Sequence, residues 1–348
     1  MLAAVAALLL VGVVVTLGFG IFRQSSSPDQ PRSSGQHGPR AFHVQGNQII
    51  GLDGKPFIVK GAATGYGAFE QPCPEGTVNA THIAQDMDAI KALGMNTVRL
   101  FVSGKDNRSM SDYLVKVDQF VQAATQRGLV IELTDAYTDD FNLVDTLNRQ
   151  LATKYRNNAM VWIEPYNEPH ADHQSWPDWQ KEESRWVQTI RNAGFANPIV
   201  LNTPNWSSDL SQIPQYHLQD DNVIYAWHRY ANGQSFDRAN EDRSWASTAL
   251  SSQFAIIGDE LGAFNSDPAS VNLQWNRDIL DYAVDWVKKK GGNGVIAFVW
   301  RWCDQNTMSD GDGNEQLTEW GSIFKDHFLT PLSSFSRSKT AANRRVLS

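Results

Sequence analysis

The sequence predicts a (β/α)8 barrel, and three observations favour this fold. Eight short apolar runs recur along the chain, each followed by a polar loop and then by a helical pattern. The runs are almost continuously apolar rather than alternating, which is typical of parallel strands covered on both faces. Eight such units in a chain of 348 residues fit one closed barrel.

The eight strands are predicted at the apolar runs Phe57–Gly61, Thr97–Val102, Leu129–Leu133, Met160–Pro165, Pro198–Asn202, Val223–Trp227, Phe254–Gly258 and Val295–Trp300. In front of them, the segment from Phe42 to Lys55 predicts a β-hairpin. A doubly wound open sheet is the alternative fold. It would carry a Gly-rich phosphate loop after the first strand, and the sequence has none there.

Composition divides the chain into four predicted segments. Residues 1–23 predict a transmembrane anchor, because the run from Leu2 to Phe22 has no charge and is long enough to cross a bilayer core of about 30 Å. A cleaved signal peptide is the alternative for this segment. Residues 24–40, rich in Ser, Pro, Gly and Gln, predict a flexible linker. The barrel domain is expected over residues 41–330 and a tail over residues 331–348.

The net charge of −8 disfavours a nucleic-acid partner, whose phosphates require clustered Lys and Arg. We therefore expect no nucleic acid, a lipid bilayer bound through residues 2–22, and a monomer. No cluster of Cys and His has the spacing of a metal site, so we expect neither a metal nor a cofactor.

Polar and aromatic residues are predicted at the carboxyl ends of several strands, where functional residues of such barrels gather. The fourth and seventh strands lead into Glu168 and Glu260, and Arg99 lies near the end of the second. The sixth leads into His228–Tyr230 and the eighth ends at Trp300. Two carboxylates across a sugar are what glycosidic cleavage requires. One protonates the leaving oxygen, and the other attacks or stabilises the anomeric carbon.

Two segments resemble glycoside hydrolase family 5, a family of cellulase-like retaining β-glycosidases in clan A. Trp162–His170, which contains Asn-Glu-Pro, resembles the acid/base strand, and Ile256–Gly262 resembles the nucleophile strand. The segments Gly94–Arg99 and Gly51–Gly61 are similar to the family as well. The resemblance spans roughly residues 42 to 328. It implies hydrolysis of β-glycosidic bonds in a β-glucan-type polysaccharide or oligosaccharide, of the endo-β-glucanase type.

The resemblance also implies roles for individual residues at the reaction centre. Glu168 would be the general acid and then the general base, and Glu260 the nucleophile. Arg99 would lie beneath Glu260 and keep it ionised, and Tyr230 would donate a hydrogen bond to it. Asp259, by strand alternation, is expected to point away from the cleft.

Six residues are candidates for substrate binding: Arg99 and Tyr230, whose contacts with Glu260 are given above, and four others. The resemblance implies that Asn167 holds the sugar 2-hydroxyl, that His228 lines the same subsite, and that Trp300 forms the floor under the sugar being cleaved. Trp206, after the fifth strand, is either a sugar platform or a packing residue. One segment departs from the family: Leu133–Tyr137 carries Asp and Tyr where a His usually follows the third strand.

The chain has two cysteines, Cys73 after the first strand and Cys303 after the eighth. These strands are neighbours in a closed barrel, so the positions predict a disulfide, with two unrelated thiols as the alternative.

Other functions of such a barrel remain open at this stage: a β-mannanase, an envelope-glycan transglycosylase, or a non-catalytic carbohydrate-binding protein. We expect the catalytic domain outside the cytoplasm, periplasmic or extracellular, because a polysaccharide substrate would be there. If the signal is cleaved, the protein is instead secreted. Arg23, Arg32 and Arg40 after the hydrophobic run would by themselves favour the opposite orientation.

Overall fold

The structure is a computed structural model that describes residues 41–64, 80–102, 110–134, 140–170, 175–262, 269–301, 307–310 and 316–337. The chain divides into two units, residues 1–38 and 39–348, and every described residue belongs to the second. Within the described ranges, no helix is both long and apolar enough to cross a bilayer. The predicted anchor, the linker and both cysteines lie outside the described residues.

Eight parallel strands close into a barrel, which confirms the predicted fold class. The strands are β3 Val59–Ala63, β4 Thr97–Phe101, β5 Val130–Thr134, β6 Val161–Glu164, β7 Ile199–Asn202, β8 Val223–Tyr230, β9 Ile256–Gly262 and β10 Gly294–Ala297. Strand β10 pairs with both β3 and β9, so the first and last barrel strands close the seam. All eight predicted runs form strands, and β8 and β9 extend beyond their predicted ends into the candidate site.

The predicted hairpin is present as β1 His43–Gln45 and β2 Gln48–Ile50, paired antiparallel. It covers the amino-terminal end of the barrel, because Phe42 and Ile49 join the cluster of apolar side chains inside it. The Phe42 ring packs edge-on against Trp162 of β6, with 5.5 Å between centroids. The hairpin therefore closes the end of the barrel opposite the predicted site.

Helices surround the barrel. The longer helices are α1 Ala80–Ala92, α2 Met110–Gln126, α3 Phe141–Tyr155, α4 Trp176–Asn192 and α9 Ala269–Asp285. The shorter ones are α5 Pro204–Ser207, α6 Ile213–Tyr216, α7 Arg238–Arg243, α8 Thr248–Ser251, α10 Glu319–Phe324 and α11 Thr330–Leu332. Two π-helical turns, Trp286–Lys290 and Lys325–Leu329, follow α9 and α10.

Helix α4 illustrates why these segments are helical. The Ser175 side chain caps its first turn by accepting the Asp178 N–H, and a proline stands in that turn, where its missing N–H costs nothing. Its buried residues, among them Trp179 and Ile190, recur on one face and pack against the barrel. The Trp179 indole N–H donates to the Asn202 carbonyl oxygen at 2.7 Å, which fixes the end of β7 near the candidate site.

Three apolar clusters and one polar layer make up the core of the described residues. The largest cluster lies between strands and helices, the second fills the lower barrel interior, and the third, a small one, consists of Val144, Tyr166 and Trp186. Toward the carboxyl ends of the strands the interior is polar instead. Five fully buried residues form this polar layer: Arg99, Glu132, Glu164, Asn202 and Asp259. Since buried charges are retained only with partners, this layer marks the end of the barrel where chemistry is expected.

Candidate active site

The structure brings Glu168 and Glu260 together. Glu168 follows β6 and Glu260 lies in β9. One oxygen of Glu168, one oxygen of Glu260 and one ring nitrogen of His228 all lie within 4.8 Å of one another. Retaining glycosidases hold their two carboxyl groups about 5–5.5 Å apart, whereas inverting ones leave about 6.5–9.5 Å for a water. The close approach therefore fits direct attack by one carboxylate on a sugar.

A β-bulge in β9 decides which way its carboxylates face. Trp227 of β8 pairs with Gly258, but the next residue, His228, pairs with Glu260. The register with β10 shifts at the same place. One extra residue in β9 breaks the alternation, so Asp259 turns into the polar layer directly below Glu260. Asp259 therefore does not face the cleft, as predicted, but the bulge places it inside the barrel rather than on the outer face that alternation implied.

Arg99 is the cation beneath Glu260. It is fully buried on β4, and its Nη1 donates to Glu260 at 2.5 Å. Its Nε and Nη2 each donate to Glu164 at 2.8 Å, and Nη2 also donates to the Asn167 side-chain oxygen at 2.6 Å. Burial opposes the charge, but Glu164, Glu260 and Asp259 outweigh it and raise the pKa of Arg99 well above its ordinary value. Arg99 thus orients Glu260 and Asn167 at once.

Tyr230, at the end of β8, donates its hydroxyl hydrogen bond to the second oxygen of Glu260. Burial, followed by the charges of Glu260 and Glu168, raises the pKa of Tyr230 well above its ordinary value. The raised pKa favours the protonated phenol, which can donate to Glu260. With Arg99 on one oxygen and Tyr230 on the other, Glu260 is held as an oriented carboxylate.

His228 links the two glutamates. Its Nδ1 lies 2.6 Å from Glu168 Oε1 and 3.5 Å from Glu260 Oε2, and its Nε2 lies 3.2 Å from Asp259 Oδ1. Burial alone would lower the pKa of His228, but the charges of Glu260, Asp259 and Glu168 hold it well above its ordinary value. The ring therefore lies between carboxylates on two sides, with Nδ1 at hydrogen-bond distance from Glu168 and Nε2 in ion-pair range of Asp259.

Glu132 and Glu164 belong to the polar layer but were not predicted from the sequence. Burial, with the neighbouring carboxylates, raises the pKa of both, and Arg99 opposes the rise. Oxygens of Glu132, Glu164 and Asp259 lie within 4.8 Å of one another, a set that could in principle hold a cation. The Arg99 guanidinium already lies among them, with Nε 3.0 Å from Glu132. The signal in the sequence was a single Glu inside each of two apolar runs.

The structure does not place Trp300 in the cleft, and the prediction that its ring forms the floor under the sugar is corrected. Trp300 is buried among the outer apolar residues, and its indole N–H donates to Asp86 of α1 at 3.0 Å. The partly buried Phe298 lies near the site instead, with its ring 5.9 Å from Tyr230 and 6.4 Å from Phe101. Because β10 ends at Ala297, strand alternation does not extend to Trp300.

Trp206 is an exposed aromatic surface beside the acid/base strand. Its side chain is 48% exposed and stacks on His170, with ring centroids 5.6 Å apart and planes 9° from parallel. Its backbone N–H donates to the Pro169 carbonyl oxygen at 3.2 Å, which joins the loops after β6 and β7. The exposure is compatible with a sugar platform and the stacking on His170 with loop packing, so both predicted alternatives stand. Asp135 and Tyr137 lie outside the described residues.

Fold and site together define a class: a (β/α)8 barrel with paired glutamates on the fourth and seventh barrel strands, supported by an arginine and a tyrosine. The chain belongs to glycosyl hydrolase family 5, since the family described as Cellulase (glycosyl hydrolase family 5) matches residues 51–306.

Several known proteins are similar to the chain. Endoglucanase A of Butyrivibrio fibrisolvens is 26% identical over 268 residues, which cover 74% of this chain and 59% of that protein. A mannan endo-1,4-beta-mannosidase of Salipaludibacillus agaradhaerens is 21% identical over 308 residues, 80% of this chain and 89% of that protein. A β-glucanase structure from Saccharophagus degradans, in complex with cellotetraose, superposes with a TM-score of 0.70 at 20% identity. It covers 84% of this chain and 93% of that one, and this likeness concerns the fold.

Proposed function

We propose that this protein hydrolyses β-glycosidic bonds of a β-glucan polysaccharide or oligosaccharide with retention of the anomeric configuration. The observation that carries the proposal is the close approach of Glu168 and Glu260, with Arg99 and Tyr230 both donating to Glu260. This pair of donors orients both oxygens of Glu260. Glu168 is more accessible, with a quarter of its side chain exposed, as a group that meets a leaving oxygen must be.

The geometry supports a two-step reaction. In the first step Glu260 attacks the anomeric carbon while Glu168 gives its proton to the leaving glycosidic oxygen. In the second, Glu168 removes a proton from water, which attacks the anomeric carbon and releases Glu260. Asn167 accepts from Arg99 through its oxygen, so its amide N–H2 remains to donate to a sugar hydroxyl beside the reacting carbon.

A β-mannan is the second candidate substrate. Similarity to a mannan endo-1,4-beta-mannosidase over 80% of this chain supports it, whereas the endoglucanase relative supports a glucan. Both sugars would use the same two glutamates, since they differ only at the carbon that Asn167 would face. Transglycosylation on this barrel would also begin with the same covalent intermediate.

For its location, we propose that the barrel acts outside the cytoplasm and is held to a membrane through residues 2–22. The absence of charge from Leu2 to Phe22 supports this placement. Secretion after cleavage of that segment is the alternative, and it would leave the reaction unchanged.

The proposed function is tested on soluble β-glucans and β-mannans of defined linkage, with products separated by size and the first anomer formed observed by proton NMR. We expect release of the β-anomer from a β-glucan, and no activity of a Glu168→Ala, Glu260→Ala double variant. First release of the α-anomer would contradict retention. Greater activity on β-mannan would replace the glucan with the second candidate, and no activity on any β-glycan would overturn the proposal.

A further inference from the structure

We propose that Asp259 is a positioning residue for the acid/base Glu168, which it holds from the nucleophile strand through His228 and Asn202. The inference rests on the proposed function, because it assigns a task within that reaction. Asp259 touches neither the sugar nor the reacting atoms, since it is fully buried below Glu260.

The first connection runs through the imidazole ring. Asp259 Oδ1 lies 3.2 Å from His228 Nε2, and His228 Nδ1 lies 2.6 Å from Glu168 Oε1. A negative charge at Nε2 keeps a proton on that nitrogen and favours the doubly protonated ring. Nδ1–H is then directed at Glu168, so Oε1 of Glu168 is held and its other oxygen is left for proton exchange with the sugar.

The second connection runs through a side-chain amide. The Asn202 Nδ2 group donates to Asp259 Oδ2 at 2.8 Å, and the Asn202 Oδ1 atom accepts the backbone N–H of Glu168 at 3.1 Å. Glu168 has a φ of 50°, a conformation that is unfavourable for a residue other than glycine and persists only when its surroundings fix it. By orienting the Asn202 amide, Asp259 helps to hold the backbone from which the acid/base projects.

The surroundings of Asp259 keep it charged. Burial would raise its pKa, but His228 and Arg99 reverse this and lower the pKa below its ordinary value. Arg99 Nε lies 3.9 Å away, and oxygens of Glu132 and Glu164 lie within 4.8 Å. The bulge in β9 is what allows one strand to present the nucleophile and, directly before it, the carboxylate that supports the acid/base.

The kinetic test compares Asp259→Asn with wild type on two substrates of one sugar: an oligosaccharide, whose leaving group needs a proton, and a dinitrophenyl β-glycoside, whose leaving group does not. General acid catalysis is worth about 10²–10⁴-fold, so we expect kcat/KM to fall by about 10-fold or more on the oligosaccharide. On the aryl glycoside it should stay within about 3-fold by the same reasoning. An equal loss on both substrates would overturn the proposal.

Asp86→Asn is the matched control, because Asp86 of α1 is equally buried but accepts hydrogen bonds from Trp300 and Arg301, which follow β10. It should affect both substrates alike. Should Asp259→Asn not fold, Asn202→Ala carries the same test: it removes the second connection and should also impair the oligosaccharide selectively. Equal losses in Asn202→Ala would then overturn the proposal.

A second readout does not depend on turnover. Nitrogen-15 NMR of the histidine rings, with the His228 signals assigned by their loss in His228→Gln, reports its tautomer and titration. The charged groups against this ring are Glu168, Glu260 and Asp259. In Asp259→Asn we expect His228 to lose its proton at lower pH than in wild type. An unchanged titration would overturn the inference, whereas a wild type inactive on every β-glycoside would overturn only the proposed function.

Discussion

Glu260 receives a donor on each oxygen, Arg99 on one and Tyr230 on the other, while Glu168 shares one oxygen with His228. This asymmetry suits the two carboxylates to the different tasks proposed for them, because both oxygens of Glu260 are oriented whereas Glu168 keeps part of its surface exposed. The assignment follows from contacts rather than from the identity of the residues, both of which are glutamate.

The variants Glu168→Ala and Glu260→Ala should be distinguishable by the product that each forms with azide. Glu168→Ala and Glu260→Ala should each lose activity on oligosaccharides by about 10²-fold or more. With a dinitrophenyl β-glycoside, Glu168→Ala should keep its first step, and azide should yield a β-glycosyl azide. Glu260→Ala should instead form an α-glycosyl azide, since azide attacks from the vacated face. NMR of the azide products checks this, and the reverse pattern of anomers would exchange the two roles.

Glu132→Gln should reveal the cost of a buried carboxyl. Burial and the charges of Glu164 and Asp259 raise the pKa of Glu132 well above its ordinary value. The stability contributed by such a group is full below the ordinary pKa of about 4.3 and is lost as the pH rises through the folded-state pKa. Gln stays neutral, so we expect equal Tm values near pH 4 and a Tm higher than wild type by about 2 °C or more at pH 8.

Calorimetry at both pH values measures this difference. A Tm difference that did not grow between pH 4 and pH 8 would contradict the raised pKa. The sign matters, because a carboxylate stabilised by Arg99 alone would give the opposite result, a variant less stable at pH 8.

The positions of site residues could be predicted from the sequence only where the strands are regular. Glu168, Glu260, Arg99 and Tyr230 were predicted because parallel strands bring their carboxyl ends to one face of a barrel. The inward position of Asp259 was not predicted, because a β-bulge interrupts the regular alternation of side chains and the sequence does not reveal the bulge. Trp300 in the same way lies beyond the end of its strand, where the alternation no longer applies.

At the scale of the element, apolar runs predicted all eight strands because both faces of each are covered. The short turn at α5 could not be predicted. Asn205, Trp206 and Ser207 all adopt positive φ angles, for which no glycine signals the conformation. The backbone bond from Trp206 to Pro169 and the Ser207 hydroxyl bond to Ala226 stabilise it, and both come from the tertiary structure.

Trp206→Ala should show whether the exposed ring in this turn contributes to substrate binding. The ring is half exposed and stacks on His170 rather than in the core, so its loss should change Tm little. If it is a sugar platform, KM for long oligosaccharides should rise by about 5-fold or more, as expected for about 1–3 kcal/mol of lost contact, with kcat within about 2-fold. Unchanged KM values for substrates of every length would assign the ring to loop packing.

Strand closure depends on Gly294 at the start of β10. Its φ is 115°, and an added Cβ would lie 1.9 Å from the Val59 carbonyl oxygen of β3. We expect Gly294→Ala to lower the free energy of unfolding by about 3 kcal/mol or more, from backbone strain and overpacking together. Gly46→Ala is the control, since Gly46 also has positive φ but faces open space. It should cost about 1–2 kcal/mol. Equal losses in urea unfolding would contradict the closure argument.

At the scale of the molecule, the barrel interior changes character along its axis. The hairpin and Trp162 close an apolar lower part, and the polar layer around Arg99 fills the upper part. The apolar part supplies burial free energy, while the polar part holds charges in fixed geometry where water is excluded. Periodicity predicted the first property, but the pairing within the polar layer required the closed structure, because its members lie on five different strands.

A disulfide between Cys73 and Cys303 stays a prediction. If it forms, mass spectrometry of unreduced peptides should show the two joined, and reduction should lower the Tm. It would cross the β3–β10 seam, so loss of the bond should destabilise the protein by about 2–4 kcal/mol. Cys73→Ser would serve as the control, since reduction should then have no effect on Tm. Two free thiols in the purified, unreduced protein would contradict it.

The hydrophobic run at residues 2–22 leads to a prediction about membrane association, and the barrel alone is expected to behave differently. A chain that begins at Ala41 contains every described residue of the fold, so we expect it to be soluble and as active per molecule as the full chain. The full chain should remain with membranes after extraction at alkaline pH, because an uncharged run of this length is stable in a bilayer.

Mass spectrometry of the mature protein distinguishes the two interpretations of residues 2–22, an anchor and a cleaved signal peptide. An intact amino terminus in the membrane fraction supports the anchor, whereas a soluble protein that begins after about residue 20 would identify a cleaved signal peptide.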